Sequence, residues 1–532
     1  MNFIELVKNL FDEKANPGQT LWASLAAFTP EIILCATIVA ILLMRMIFPS
    51  WKTLSYYLML LGVGAALCFA MPWNWIPAAV SPAKPLFSGL LVFDGFSIFM
   101  RGLILIFVLL FTTFTQISRM PDQEDAAEFY VLILGAAVGM SLMISANHLI
   151  TILIGMEMAS LPSYVLAGFL RNRRKSGEAA LKYAVYGAGA AGIMLFGMSL
   201  LAGALGSAHL PTMAQRLAEL LESGAGADRS LALILGGLML AVGVAFKLAA
   251  VPFHFWAPDV FEGASAEVAA FLSVASKAAA LALLVRLAMA FSFVPDPILL
   301  QNLAPVRQFI GLLIAVLAAV TCTFGNLAAY GQTNMKRLLA YSTIAHAGYM
   351  MMPIAAAVML IEKNPEGARN AVSAMSVYIS IYMFMNLAAF AGVAFLRNVT
   401  GSEDLRDYAG LVRRSPGFTV CMAIVMFSLL GLPPLSGFAA KVTIFISLIQ
   451  AKMFALLAVG VLNTVLSLFY YLRVVKVMTL EPERQDRPLP AISLGSLPGF
   501  YFAVLTVPVV ALFFLWGGLS NWAYAAAAAL LY

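Results

Sequence analysis

Residues 230–256 read SLALILGGLMLAVGVAFKLAAVPFHFW. No charge precedes Lys247 in this stretch, and a helix of ~20 mostly apolar residues is long enough to cross a bilayer. Lys247 lies inside the apolar run and Pro252 follows it, and a proline removes a helical hydrogen bond and breaks the helix. The stretch therefore predicts a membrane-spanning helix that is interrupted beside a buried lysine.

The rest of the 532-residue chain has the same apolar character, with 62% hydrophobic and only 11% charged residues, against about 25% charged in soluble domains. This composition excludes most soluble-enzyme folds and gives no sign of nucleic-acid binding. The apolar runs are too long for β-barrel strands of ~10 alternating residues. We predict one all-α polytopic membrane domain, 1–532, with about 14 transmembrane helices. The predicted spans are 21–43, 54–72, 91–115, 128–147, 149–170, 180–205, 230–256, 262–290, 306–330, 338–360, 371–396, 417–448, 453–475 and 497–530.

The predicted orientation follows from the basic residues in the connections, because these stay on the cytoplasmic side. With both termini outside, the inner connections hold 17 Lys and Arg residues and the outer ones hold 9. We therefore expect both termini to be periplasmic. The polar lead up to Thr20 is expected to enter the first span without a cleaved signal.

Cysteine spacing gives no sign of a cofactor in this chain. Cys35, Cys68, Cys322 and Cys421 are far apart and lie in apolar stretches. They form no CxxC pair and no iron–sulfur or other metal ligand set. We expect core thiols, with no cofactor and no metal.

Six basic residues lie inside the predicted spans, where each costs about 2.5 to 3.5 kcal/mol at a helix centre. They are Arg101, Lys182, Lys247, Lys277, Arg286 and Lys441. For Arg101, Arg286 and Lys182, a position near a helix end from which the side chain reaches the interface is as good an explanation as burial. Lys247, Lys277 and Lys441 have apolar flanks on both sides, as in SVASKAAALALL around Lys277, so we predict that they are buried.

A buried acid accompanies these lysines. Glu157 lies in ILIGMEMASLPSYVLAGF, and a nearby lysine would keep it charged and be kept charged in return. Burial makes a lysine easier to deprotonate, whereas arginine stays charged. Lysines at the central positions of the spans, with most arginines in the loops, therefore favour proton handling. Buried ion pairs that only fix helix register remain an alternative.

A second helix break accompanies Lys441, which follows Pro433, Pro434 and Gly437 in LLGLPPLSGFAAKV. Each break alone could be a packing kink. Paired interrupted helices in corresponding parts of a chain are typical of transporters built from inverted repeats, where the freed carbonyls line the transport site.

Two histidines lie close to these elements. His254 follows Lys247 by about two helical turns and could relay a proton near neutral pH, or its ring could be fixed by the carbonyls of the broken helix. His346 follows Lys336 on one predicted helix, in KRLLAYSTIAHAGYM, and a structural role is the favoured interpretation for it.

Four motifs carry a family resemblance: SGEAALKY (176–183), KLAAVPFHFWAPDVFEGA (247–264), QTNMKRLLAYSTIAHAGYM (332–350) and GLPPLSGFAAK (431–441). Together they resemble the antiporter-like membrane subunits of respiratory complex I, NADH:quinone oxidoreductase. PFHFWAPDVFEGA is more similar to the subunit N branch than to the L and M branches. The resemblance implies two inverted five-helix repeats, about 128–290 and 306–478, and a hydrophilic axis at the bilayer midplane.

The resemblance also implies site residues. It matches Glu157 to the fifth-helix glutamate, Lys182 to the sixth-helix lysine, Lys247 to the lysine of the broken seventh helix, Lys277 to the eighth-helix lysine and Lys441 to the lysine of the broken twelfth helix. Lys336 and His346 are further candidates for proton transfer, as is His254. The sequence departs from the family at EGASAEV (262–268), which adds Glu267, at GFAAK, and after KY, where Gly187, Ala188 and Gly189 replace polar residues.

The resemblance implies a proton-translocating subunit in the inner membrane of a bacterium. The flavin, iron–sulfur clusters and quinone site are expected on partners: a peripheral redox arm and other membrane subunits, antiporter-like paralogues among them, with lipid around them. The nearest alternative is the related subunit of a multisubunit Na+/H+ antiporter or a membrane-bound hydrogenase. A passive membrane scaffold is a second alternative.

Overall fold

The computed structural model describes residues 20–48, 51, 53–70, 83–122, 125–170, 173–223, 229–483 and 491–530, and the polar lead 1–19 lies outside these ranges. The described residues are almost entirely helical. In chain order the helices are α1 (Leu21–Ala27), α2 (Thr29–Ile47), α3 (Leu54–Ala70), α4 (Gly95–Ser118), α5 (Ala126–Ser145), α6 (Leu149–Ala167), α7 (Arg174–Leu205), α8 (Leu210–Glu222), α9 (Ser230–Leu248), α10 (Trp256–Gly263), α11 (Ala266–Ala290), α12 (Pro297–Asn302), α13 (Ala304–Ala329), α14 (Met335–Leu360), α15 (Pro365–Thr400), α16 (Leu411–Arg414), α17 (Pro416–Leu430), α18 (Ser436–Gln450), α19 (Phe454–Thr479), α20 (Leu497–Phe514) and α21 (Trp516–Leu530).

The remaining regular structure is small. Strands β1 (Lys84–Leu86) and β2 (Leu91–Phe93) form an antiparallel hairpin with Lys84 opposite Phe93. Short 3-10 turns occur at Phe87–Gly89 and Leu405–Tyr408.

Twelve helices within the described ranges are long and apolar enough to cross a membrane, and α3, α17 and α18 are shorter apolar helices. The all-α membrane fold predicted from the sequence is confirmed. The two repeats, 128–290 and 306–478, stay a prediction.

Both predicted breaks are present. The helix of run 230–256 ends at Leu248, and run 417–448 is divided into α17 and α18. The prediction of one span over 497–530 is wrong, because α20 and α21 are separate helices on either side of Leu515. Gly517 and Gly518 follow this break, and paired glycines weaken a helix because glycine loses more conformational freedom than any other residue when it becomes helical.

The centre of the molecule is formed by α11, α14 and α15, in which nearly every side chain is buried. Close packing of α13 on α14 depends on glycine: a Cβ on Gly325 would lie 2.6 Å from the nitrogen of Ala345, and one on Gly348 would lie 2.5 Å from that of Cys322. Small residues at such crossings let membrane helices approach closely.

Two of the four cysteines differ from the prediction of core thiols. Cys322 is buried and Cys421 partly so, but Cys35 on α2 and Cys68 on α3 are exposed. An apolar flank does not imply a core position in a membrane protein, because its outer helices turn apolar side chains towards lipid.

Candidate functional site

The first helix break holds Lys247. Helix α9 ends when Ala249 adopts a left-handed conformation with φ +54°, and its N–H bonds the carbonyl of Phe246 at 2.9 Å. Pro252 follows and has no N–H with which to continue the helix. Lys247 lies in the last turn with 1% of its surface exposed, and its Nζ has no hydrogen-bond partner in the described structure.

Lys277, on the neighbouring helix α11, contacts the carboxyl end of α9. Its Nζ donates to the carbonyl oxygen of Leu248, the last residue of α9, at 3.1 Å and lies 5.9 Å from the ring centroid of Trp256. The indole N–H of Trp256 bonds the carbonyl of Phe246 at 3.0 Å. A cation is favourable here because the carbonyl end of a helix carries partial negative charge, and an aromatic face adds to this attraction.

Lys441 has the same kind of environment at the second break. Helix α17 ends at Leu430, and Gly431 follows with φ +89°, a conformation that favours glycine. The Nζ of Lys441, on α18, donates to the carbonyl of Leu430 at 2.7 Å and lies 4.7 Å from the ring centroid of Tyr349. Only 3% of Lys441 is exposed. The predicted burial of Lys247, Lys277 and Lys441 is confirmed.

Lys336 is hydrogen-bonded at the carboxyl end of a third helix, α10. Its Nζ donates to the carbonyl of Ala264, which follows the last residue of α10, at 2.6 Å. The same Nζ lies 2.9 Å from a carboxylate oxygen of Glu403. The structure buries Lys336 in the first turn of α14, the helix that also carries His346.

Glu157, half-buried on α6, belongs to the group around the first break. Its electrostatic neighbour is Lys247, and Lys247 in turn acts on Lys277. The three ionisable side chains lie on three different helices, α6, α9 and α11.

Lys182 lies apart from that group, in a half-exposed ion cluster. Its Nζ is 2.8 Å from Glu178 and 2.6 Å from Asp259, and Arg337 joins Asp259 to Glu262 at 2.7 and 2.9 Å. The carboxylates in ion-pair contact with Lys182 are those of Glu178 and Asp259. The cluster lines a cleft of about 200 Å³.

The short helix α10, which is not among the candidate spans, contributes two of the three acids of this cluster, Asp259 and Glu262. Burial of Asp259 opposes its ionisation, but hydrogen bonds from Lys182 and Arg337 outweigh burial and hold the pKa of Asp259 below its usual range. The cluster is therefore charged at neutral pH and ties α7, α10 and α14 together.

The two candidate histidines have different surroundings. His254 is 3% exposed and packs its ring against Phe255 and Phe324, and its Nδ1 has no hydrogen-bond partner. His346 is held through both nitrogens, since Nδ1 lies 2.7 Å from the hydroxyl of Tyr378 and Nε2 lies 3.1 Å from that of Tyr471.

The two arginines inside the spans form buried ion pairs. Arg286 makes a two-point contact with Asp94, at 2.9 and 2.8 Å, and Arg101 lies 3.0 Å from Glu31. All four side chains are at most 6% exposed. The structure therefore favours burial over positions from which these arginines reach the interface.

Sequence reasoning missed the partners of the lysines. Asp259 and Glu262 lie in the quoted motif APDVFEGA, and their spacing of three residues places them on one helix face, which is a usable signal. Trp256, Tyr349 and Glu403 come from separate parts of the chain and gave no local signal. Among the described residues, no cluster of three or more His, Cys, Asp or Glu could hold a metal ion.

The fold and the breaks define an antiporter-like polytopic membrane protein. Residues 146–467 match the family described as "NADH:quinone oxidoreductase/Mrp antiporter, TM". NADH-quinone oxidoreductase subunit N of Rhodospirillum rubrum is 38% identical, with 91% of this chain and 93% of the relative covered. The chain belongs to the subunit N family of NADH-quinone oxidoreductase, the bacterial respiratory complex I.

Solved structures are similar over nearly the whole chain. A chain of respiratory complex I from Thermus thermophilus with bound aureothin is 31% identical, with a TM-score of 0.70 and coverage of 92% of this chain and 97% of that one. A chain of the Mrp complex from Dietzia sp. DQ12-45-1b has a TM-score of 0.78 at 19% identity, with 95% and 98% covered. That second likeness shows the fold alone.

Proposed function

We propose that the lysines at the two helix breaks carry protons across this subunit of NADH:quinone oxidoreductase. The observation that supports it is the shared setting of Lys277 and Lys441: each ammonium is buried, and each donates to the last carbonyl of an interrupted helix. Lysine can release and regain a proton in such a place, which arginine cannot do. Proton translocation is also the activity of the complex to which the subunit N family belongs.

The proposed path begins at Glu157, whose charge adjusts the proton affinity of Lys247. Protons then pass through His254 and Lys277, and Lys441 leads towards the periplasmic side. The coupling is electrostatic, because moving the charge of Glu157 away from Lys247 favours loss of the lysine proton, and the change acts on the next site.

Three further candidates lie beside this path. Lys182 is half-exposed and paired with Asp259. Lys336 occupies the end of α10, and His346 is held by two tyrosines close to Lys441, whose charge acts on it. We propose that these three side chains also take part in proton transfer, beside the main path.

The proposal places the redox chemistry outside this chain. Partner subunits hold the flavin, the iron–sulfur clusters and the quinone site, and this chain holds no cofactor. Its neighbours are antiporter-like paralogues and other membrane subunits, with the peripheral arm attached elsewhere and lipid on the open faces.

The proposed orientation puts both termini in the periplasm. The excess of basic residues in the alternate connections supports this arrangement. A direct test adds a single cysteine at each end of the chain and labels it with a membrane-impermeant reagent, on intact cells whose outer membrane has been opened. Labelling only after cell lysis would contradict the periplasmic assignment.

The competing function is that of a Na+/H+ antiporter or membrane-bound hydrogenase subunit. The fold does not separate the two, since the Mrp chain is also alike, but identity near 38% over the whole relative favours complex I. Purification from native membrane with identification of the subunits by mass distinguishes them. Antiporter or hydrogenase subunits without NADH oxidation would contradict the complex I assignment.

The test of the proton path is Lys247→Met in the assembled complex. We expect NADH-driven, quinone-dependent acidification of vesicles to be lost and coupled quinone reduction to slow. Lys363→Met is the matched control, because Lys363 is an exposed lysine in the loop after α14. Unchanged acidification by the Lys247 variant would contradict the proposed path.

A further inference from the structure

A further buried acid, absent from the path above, lies at the start of α11. Glu267 is in the first turn of α11 and has none of its surface exposed, and neither carboxylate oxygen has a hydrogen-bond partner among the residues that the structure describes. Burying an ionised carboxylate without a partner is very costly. Glu267 must therefore have a nearby positive charge or carry a proton.

Lys336 brings a positive charge to the start of this helix. Its Nζ donates to the carbonyl of Ala264, three residues before Glu267, at 2.6 Å. The charges that act on Lys336 include those of Glu403, Arg397 and Glu267. The same Nζ lies 2.9 Å from a carboxylate oxygen of Glu403, which is 12% exposed, so Lys336 joins the start of α11 to a less buried acid.

Glu403 is the outer end of this group. Arg397 lies 4.0 Å from its second carboxylate oxygen, so that two cations face one acid. Glu267 makes no ion pair in the described structure. The Nζ of Lys336 is bound instead to the backbone carbonyl of Ala264, close to the start of α11. The group has three proton-binding side chains in order of increasing burial: Glu403, Lys336 and Glu267.

We propose that Glu267 is a proton-carrying residue that exchanges a proton with Lys336, and this proposal rests on the proposed function. In the step, the N–H bond of the Lys336 ammonium breaks and the O–H bond of Glu267 forms, so a cation and an anion that are not in ion-pair contact become a neutral amine and a neutral acid. The amine regains a proton from the carboxyl group of Glu403, which takes its own from the aqueous phase. The balance is one proton moved from the rim to the interior.

The neutral product explains how the site tolerates both states. When Glu267 is ionised, the partial positive charge at the start of α11 and the lysine stabilise it. When it is protonated, no unpaired buried charge remains. The ionised and the protonated form of Glu267 therefore each cost less free energy than a permanently ionised carboxylate without partners.

The experiment uses the assembled complex with Glu267→Gln, which keeps the volume and removes the titrating group. We expect NADH-driven acidification to fall by at least about tenfold, given that a positioned proton donor or acceptor contributes 10²–10⁴-fold. Infrared difference spectra between oxidised and reduced complex should lose one carboxylic-acid carbonyl band. Ser273→Ala is the control on the same helix, since Ser273 is equally buried and bonds only the carbonyl of Ala270.

Two further variants make the result specific. Lys336→Gln combined with Glu267→Gln should be no worse than either single variant, because residues that act as one unit are not additive. Glu267→Asp keeps an acid and should restore part of the acidification and a shifted infrared band. If Glu267→Gln does not assemble, the Glu267→Asp band decides the question: a spectrum identical to wild type overturns the proposal.

The outcome separates this proposal from the one it rests on. Loss of acidification in Lys247→Met together with normal acidification and an unchanged infrared band in Glu267→Gln would overturn the role of Glu267 and leave the lysine path standing. Loss in Glu267→Gln with normal acidification in Lys247→Met would overturn the lysine path instead.

Discussion

Lys277 donates from its ammonium to the carbonyl of Leu248, the residue at which α9 ends, across 3.1 Å. Lys441 makes the equivalent bond to Leu430 at the end of α17. Each lysine therefore stabilises a helix end that a proline-containing segment leaves open. Loss of the lysine proton weakens this bond, so the charge of the side chain and the geometry of the break depend on each other.

We predict that Lys277→Met and Lys441→Met each destabilise the subunit, because the last carbonyl of the helix becomes a buried acceptor without a donor. An unsatisfied buried group costs about 1–3 kcal/mol. The measurement is the midpoint of thermal unfolding of the purified complex. Lys363→Met is the control, and equal midpoints for all three variants would contradict the prediction.

Tyr349 offers a separate test of the second break. Its ring centroid is 4.7 Å from Nζ of Lys441, while its hydroxyl bonds the carbonyl of Gly460 at 3.1 Å. Tyr349→Phe keeps the ring and should retain most acidification, whereas Tyr349→Leu removes the aromatic face and should lower it severalfold. Equal activity of the two variants would show that the ring does not matter to Lys441.

Asp94 and Arg286 form the buried pair with the largest expected effect on stability. Asp94→Asn leaves the Arg286 charge buried without its partner, which costs about 3–5 kcal/mol. The amount of assembled complex in the membrane should fall accordingly, and Asp94→Asn with Arg286→Met should recover part of it. Arg414→Ala breaks an exposed contact to Glu483 and should change little. A normal yield of the Asp94 variant would contradict the prediction.

The ion cluster on α10 predicts a pH dependence. The pKa of Asp259 is depressed by Lys182 and Arg337, against the effect of burial. A depressed pKa adds stability that is fully present above the unfolded value, near 3.9, and is lost as the pH falls through the folded value. The difference in unfolding midpoint between wild type and Asp259→Asn should therefore be constant above about pH 5 and shrink below it. A difference in unfolding midpoint that grows on acidification would contradict the prediction.

Sequence predicted the breaks because their causes are local. Pro252 after Lys247, and Pro433 with Pro434 before Lys441, act within a few residues of where they stand. The burial of these lysines also followed from their apolar flanks. The left-handed Ala249 and the end of α20 at Phe514 gave no comparable signal.

The partners of the buried groups were out of reach of the sequence, because they depend on helix packing. From the sequence, the ion-pair partner of Lys182 could have been Glu157 or Asp259. The partner is Asp259 because α10 packs beside α7, which the sequence does not show. Cys35 shows the same limit, since an apolar helix gives no periodic sign of which face meets lipid and which meets the core.

The central claim is that the lysines at the breaks act by losing and regaining a proton. Lys277→Arg in the assembled complex tests it most directly, because arginine keeps the positive charge and the hydrogen bond to Leu248 but does not deprotonate. The measurement is NADH-driven, quinone-dependent acidification of reconstituted vesicles per NADH oxidised. We predict an assembled complex with normal thermal stability and strongly reduced acidification. Acidification equal to wild type would contradict the account.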